Sequence, residues 1–377
     1  MSLAGGQNGV CRSRGRLSAT VSAALASGVR AFRLRNWRSP LLHTGLKSQT
    51  KFTTFLRVPL LLVEGHWRGG SNPKRAEVVE VVLQRARRYI DDASGSLSGA
   101  LAYRRFCTPA LSGYRTADHD LLIERSRFHL RDAHPVSVTT QEGNLQAYVF
   151  EPDGSERAAS VLMVHGWTGE ASFMSAFAEQ LRRRGFRVVL FDFPAHGRSA
   201  GRHTNLIACA HATREVAEKL GPIHFVVAHS LGGLAALLAG GGGPPMPRAY
   251  PFRAFVLVSM PNKFADVTRA FGERLRLRPA AQRSYEHRLE QLAHRSITRF
   301  TGANLLAATG RPALLLHARD DAEIPFANAE QIAQRLPAEL IGFDGLGHRK
   351  ILYAPPVVRC ASTYLQRQRQ LLCEDNG

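Results

Sequence analysis

The 377-residue chain carries 50 Lys and Arg against 30 Asp and Glu, a net charge of +20, with 44% hydrophobic residues and five cysteines. That is enough chain for one large core with additions, and the odd cysteine count without paired spacing excludes a disulfide framework and suits a reduced compartment. No stretch approaches the roughly 18 apolar residues needed to span a bilayer, so a soluble, cytoplasmic protein without a transmembrane segment is expected.

The charge is uneven. Residues 1–90 hold 16 Lys or Arg and three acids, and the first acid is Glu64. Leu17, Val21, Leu25 and Val29 recur every four positions among Arg16, Arg30, Arg33 and Arg35, the pattern of a basic amphipathic helix. Forty-four arginines against six lysines also point to a GC-rich coding sequence, whose upstream frames read as Arg, Ala, Gly and Ser. Residues 1–72 are therefore read as a basic extension, disordered or ahead of the true start. A transit peptide over 1–63, implying an organelle, and a functional basic tail are the alternatives. No DNA-binding or RNA-stacking motif accompanies the basic residues, so no nucleic-acid partner is expected.

Residues 73–134 are read as a helical segment and linker: Asn72-Pro73 opens a helix to about Ile90, and the serine- and glycine-rich stretch from Ser94 to Gly99 is a linker. Val136 to Phe150 alternates around Gln141-Glu142-Gly143-Asn144, which predicts an antiparallel hairpin. Strands and helices then alternate, as in a mostly parallel sheet with helices on both faces. Ser160 to Val164 is a strand ending at His165-Gly166-Trp167-Thr168-Gly169, and Phe186 to Phe191 is one ending at Asp192-Phe193-Pro194-Ala195-His196-Gly197.

The most informative run follows. Ile223 to His229 is an apolar strand that breaks at Ser230-Leu231-Gly232-Gly233 and continues as the helix former Leu234 to Ala239. This is the strand–turn–helix setting of the G-x-S-x-G nucleophile elbow, with Ala228 in place of the first glycine. The tight turn lifts the Ser230 hydroxyl above the sheet edge and offers the Leu231 amide to a developing negative charge. Gly240 to Gly243, before Pro244-Pro245, reads as a flexible loop.

Ala254 to Val258 is a further strand. Phe264 to Leu277 and Arg283 to Phe300 are helical in period and rich in arginine, in an insertion over about 262–310. An arginine-lined cap would favour acidic or amphiphilic substrates, although a solvated helix face explains the same residues. The strand Ala313 to His317 ends in Asp320-Asp321, and the strand Ala338 to Phe343 ends in Asp344-Gly345-Leu346-Gly347-His348. Serine, carboxylate and histidine thus occur in the order and at the strand ends that an acyl-transfer site needs. No His pair has metal-ligand spacing and no phosphate-binding loop is present, so neither a metal nor a cofactor is expected.

With these motifs the chain resembles the serine α/β-hydrolases, close to their bacterial esterase, lipase and aminopeptidase-like members, over about residues 135–372. The resemblance implies an α/β-hydrolase fold with a small helical cap. It implies Ser230 as nucleophile, His348 as general base and acid, and Asp321, four residues before Pro325, as orienting carboxylate in preference to Asp320. The amides of Leu231 and Trp167 would form the oxyanion hole, and His229 and the Trp167 side chain would line the substrate pocket. His165, His196 and His229 are expected to be structural hydrogen-bonders, and His203, His211 and His317 ordinary scaffold or surface residues. The implied activity is that of a carboxylesterase-like serine hydrolase acting on a small-molecule acyl substrate. An acyltransferase or thioesterase would use the same residues, and a receptor would use the pocket without catalysis. A serine at 230 argues against dehalogenase or epoxide hydrolase chemistry, which needs a carboxylate nucleophile.

Overall fold

The computed structural model describes residues 84–85, 93–111, 117–152 and 159–374. The proposed amphipathic helix around 17–35 and nearly all of the helix expected over 73–90 lie outside the described residues. An eight-stranded sheet organises the rest, in the order β1-β2-β4-β3-β5-β6-β7-β8. The hairpin of β1 (His134–Thr140) and β2 (Gly143–Phe150) opens it, and β2 pairs antiparallel with β4 (Arg187–Phe191). The strands β3 (Ser160–Val164), β4, β5 (Phe225–His229), β6 (Ala254–Val258), β7 (Ala313–Ala318) and β8 (Glu339–Phe343) are all parallel.

The central parallel strands are buried on both faces, which is why they read as continuous apolar runs. Successive side chains still alternate between two cores. Leu162, Val226, Ala228 and Leu257 face one side with α4 (Leu206–Leu220) and α5 (Leu231–Gly241), whereas Val161, Met163, Val227 and Val256 face the other. That second side is covered by α2 (Ala117–Phe128), α3 (Ser175–Arg183) and the C-terminal helix α9 (Pro355–Glu374). Because the strands are parallel, the loops after β3, β5, β7 and β8 all emerge at one edge, and they carry Trp167, Ser230, Asp321 and His348.

Two segments differ from the sequence reading. Residues 94–99 are not a linker: 93–106 form a helix, α1. Its glycines serve contact rather than flexibility. Gly95, Gly99, Ala102 and Phe106 are buried along one face, and a Cβ on Gly99 would stand 2.5 Å from the Ser284 Cβ. Tertiary packing overrides the low helix propensity of Ser and Gly here. Gly240 and Gly241 likewise belong to α5, because Cβ atoms there would come within 2.9 Å of Phe255 and 3.2 Å of Ala308; the turn begins at Gly242, whose φ is +64°.

Between β6 and β7 lie α6 (Phe264–Arg274), α7 (Pro279–Ala293), a short 3-10 turn at Ile297–Arg299, α8 (Gly302–Thr309). The second cap helix is shifted from the expected Arg283 to Phe300. Pro279 starts it at the first turn, and His294, in the left-handed region at φ 48°, ends it. Helix α8 packs on α5 and so belongs to the sheet-covering layer rather than to a cap.

Candidate active site

Ser230 sits at the end of β5 with φ 51° and ψ −129°, a conformation costing a non-glycine residue about 1–3 kcal/mol. Its surroundings hold it there. The Ser230 amide donates to the Val258 carbonyl at 2.9 Å. Gly232 lies against the strand below so closely that a Cβ would stand 2.3 Å from the His165 carbonyl oxygen. Gly166 approaches from the other side, where a Cβ would stand 3.0 Å from that of Ser230. Small residues around the serine are thus required by contact.

The structure brings the three expected side chains together. His348 Nε2 accepts from the Ser230 hydroxyl at 3.0 Å, and His348 Nδ1 donates to Asp321 Oδ2 at 2.8 Å. Asp321 Oδ1 accepts from the amides of Glu323 and Ile324 at 2.9 and 2.8 Å. Burial by itself pushes the Asp321 carboxyl up. The hydrogen bond and charge of His348 and the Ile324 amide outweigh it and hold the carboxyl below its ordinary range. A hydroxyl, an imidazole and a carboxylate so linked can move a proton off Ser230 while the carboxylate keeps Nδ1 protonated.

Asp320 has a different place. It is exposed, and its Oδ1 accepts from the amides of Leu346 and Gly347 at 3.1 and 3.2 Å, tethering the loop that carries His348. The Gly347 amide holds its carboxyl below the usual value.

Leu231 is the first residue of α5, so its amide has no partner within the helix. Among the described residues, neither this amide nor that of Trp167 has an acceptor. Two free backbone donors beside the serine, one of them at a helix N-terminus, suit a developing oxyanion.

The remaining motif histidines hold loops. His165 Nδ1 donates to the Gly166 carbonyl at 2.7 Å and its Nε2 accepts from the Phe193 amide at 2.9 Å. His196 bonds the Pro194 carbonyl and the Thr168 amide. Burial drives both below their ordinary value, His196 to about 4, so they are neutral. Asp192 ties the two loops together, accepting from the amides of Ala171 and Arg198 at 2.8 Å each; burial raises its carboxyl to about 6.

A cavity of about 370 Å³ opens beside Ser230 and His348, and both His229 and Trp167 line it. Phe173, Val267, Ala270 and Leu352 give it an apolar wall, and Lys263, Asp266, Glu323 and Arg349 carry both signs of charge. The arginine-lined cap of the sequence reading is therefore not what faces the cavity. Arg349 is paired with Glu323 at 3.1 Å, and the α6 residues that face the cavity are Asp266, Val267 and Ala270.

Two site residues escaped the sequence reading. His317, expected as ordinary scaffold or surface, is scaffold and buried: it donates to the Ile324 carbonyl at 2.8 Å and sits 3.5 Å from Asp321 Oδ2. Phe106 reaches the cavity from α1. The only signal for His317 was its spacing four residues before Asp321, and for Phe106 the i, i+4, i+7, i+11 spacing of Gly95, Gly99, Ala102 and Phe106.

This fold and site geometry define an α/β-hydrolase. The sequence pattern of the alpha/beta hydrolase family matches residues 161–361, over half of the 377, and the chain belongs to that family. Among solved structures it is similar to Est1E from Butyrivibrio proteoclasticus, at 18% identity and a TM-score of 0.50, over 63% of this chain and 99% of that one. It is also similar to a candidate lipase, lip1 of Acinetobacter baumannii AYE, at 18% identity and a TM-score of 0.50, over 68% and 99% of the two chains. No curated protein matches the chain. Among the described residues, no helix is long and apolar enough to cross a membrane.

Proposed function

We propose that the protein is a carboxylesterase-like serine hydrolase that cleaves an ester, thioester or amide through an acyl-enzyme. The observation that carries this reading is the unbroken hydrogen-bond chain from Ser230 through His348 to Asp321 at 3.0 and 2.8 Å. As Ser230 Oγ attacks the carbonyl carbon, its proton passes to His348 Nε2, and the carbonyl oxygen becomes an oxyanion facing the Leu231 and Trp167 amides. Collapse breaks the bond to the leaving group, which takes the proton from His348. Water then enters, gives a proton to the same nitrogen and attacks the acyl carbon. The second collapse returns the proton to Ser230 Oγ and releases the acid. Asp321 stays ionised throughout and stabilises the transient imidazolium.

Labelling with a fluorophosphonate probe tests the reading. The expected result is one label on the wild type that is lost in Ser230→Ala and reduced by orders of magnitude in His348→Ala. A folded wild type that takes no label overturns the reading and favours a pocket that binds without catalysis.

A further inference from the structure

Phe106 lines the cavity beside Ser230, yet it belongs to α1, well ahead of the family-matched residues 161–361. It is 2% exposed. Its ring stacks on Trp167, with centroids 5.6 Å apart and planes 15° from parallel, and meets Phe271 and Tyr285 of the cap edge-on at 5.1 and 5.5 Å. Both ends of α1 are fixed. Toward its start, Cβ atoms on Gly95 and Gly99 would stand 2.8 Å from the Ala280 Cβ and 2.5 Å from the Ser284 Cβ of α7. Just past its end, the Thr204 amide donates to the Cys107 carbonyl at 2.8 Å, and the Thr108 hydroxyl bonds His203 Nδ1 at 2.8 Å. Phe106 is therefore a fixed wall, braced by the cap on one side and by the Trp167 ring on the other.

The cavity's 370 Å³ is at the small end of the roughly 300–1,000 Å³ usual for ligand pockets. Phe173, Val267 and Leu352 complete an apolar lining that selects by fit. We infer that Phe106 is a specificity-determining residue: with Trp167 it forms an aromatic end wall that limits the length of the apolar acyl chain lying beside Ser230. The inference rests on the serine-hydrolase reading for the acyl nature of that chain.

The test uses binding, so that it does not depend on turnover. The full chain carrying Ser230→Ala is titrated calorimetrically with straight-chain carboxylates from acetate to decanoate. Affinity is expected to rise about fourfold per added methylene until the chain end meets the ring, and then to stop rising. Adding Phe106→Leu moves that break to longer chains, and Phe106→Trp moves it to shorter ones. A break that stays put in both variants, an equal loss at every length, or no binding of any carboxylate overturns the assignment. Fluorophosphonate labelling of the wild-type chain, with Ser230 intact, separates the two readings. A labelled serine with an unmoved break leaves the hydrolase and removes the wall, and a moved break without labelling does the reverse.

Discussion

The His229 ring donates from Nε2 to the carbonyl oxygen of His348 at 3.0 Å, so the residue before the elbow serine holds the backbone of the histidine facing that serine. Burial first, and then the neighbouring His348, keep the His229 ring well below its ordinary value and hence neutral. Substituting His229→Ala leaves a partly buried carbonyl without its donor, a loss of about 1 kcal/mol. The expected outcome is a fall in kcat of about tenfold with KM little changed, and partial recovery in His229→Gln, which restores a donor. Steady-state kinetics on an ester that the wild type cleaves, with melting curves as a fold control, checks this.

The two adjacent carboxylates have separable effects. Asp321→Asn removes the charge facing His348 Nδ1 and favours the wrong tautomer, so kcat is expected to fall by on the order of 10³–10⁴. Asp320→Asn loosens only the tether to Leu346 and Gly347, and the fall should be no more than about fivefold. Parallel kinetics on the two variants would expose a reversed assignment at once.

Acid should destabilise the fold in a definite window. His165, His196 and His229 are held below 6.5 mainly by burial, His196 at about 4. Between 6.5 and the folded values, the unfolded chain binds more protons than the folded one, so stability is full above pH 6.5 and falls as the pH drops. For His196 alone the loss by pH 4 is on the order of 3 kcal/mol. Asp192, raised to about 6, and Glu142, also raised by burial, act in the opposite sense, because the folded state takes up their protons first, but burial lowers His211, His224 and His317 as well. Urea unfolding from pH 7.5 to 4 should show the decline, and His196→Gln should flatten it.

The contact between α1 and α7 is open to a steric test. Gly99→Val places a Cβ 2.7 Å from the Ala281 carbonyl oxygen and is expected to cost roughly 1–3 kcal/mol as the helices separate. Ser98→Ala, on the exposed side of the same helix, should stay within about 0.5 kcal/mol of the parent. Equal thermal midpoints for the two variants would mean that α1 does not bear on the cap as described.

Much of the fold and the candidate site could be read from the sequence because the chemistry is local. An apolar strand followed by small residues around a serine has few conformations open to it, and the same holds for the glycines leading into His348. What could not be read depends on distant partners. Gly95 and Gly99 look like linker residues until α7, some 180 residues later, is seen to press on them. His317 looks like the last residue of a strand until the following loop folds back and sets Ile324 and Asp321 against its ring. Asp320 and Asp321 are alike in residue type; the spacing to Pro325 favours Asp321 through the family resemblance, but the tether that Asp320 makes to Leu346 and Gly347 depends on the path of a loop some 25 residues later.

The helix carrying Phe106 lies outside the stretch by which the family is recognised. A chain trimmed to residues 161–361 would keep Ser230, Asp321 and His348 but would lose one wall of its cavity along with the opening hairpin. Substrate preferences measured on such a fragment would describe a different vessel from the whole protein. On the proposed role of Phe106, grafting segment 93–108 onto another member of the family would alter selectivity without touching the residues at the strand ends.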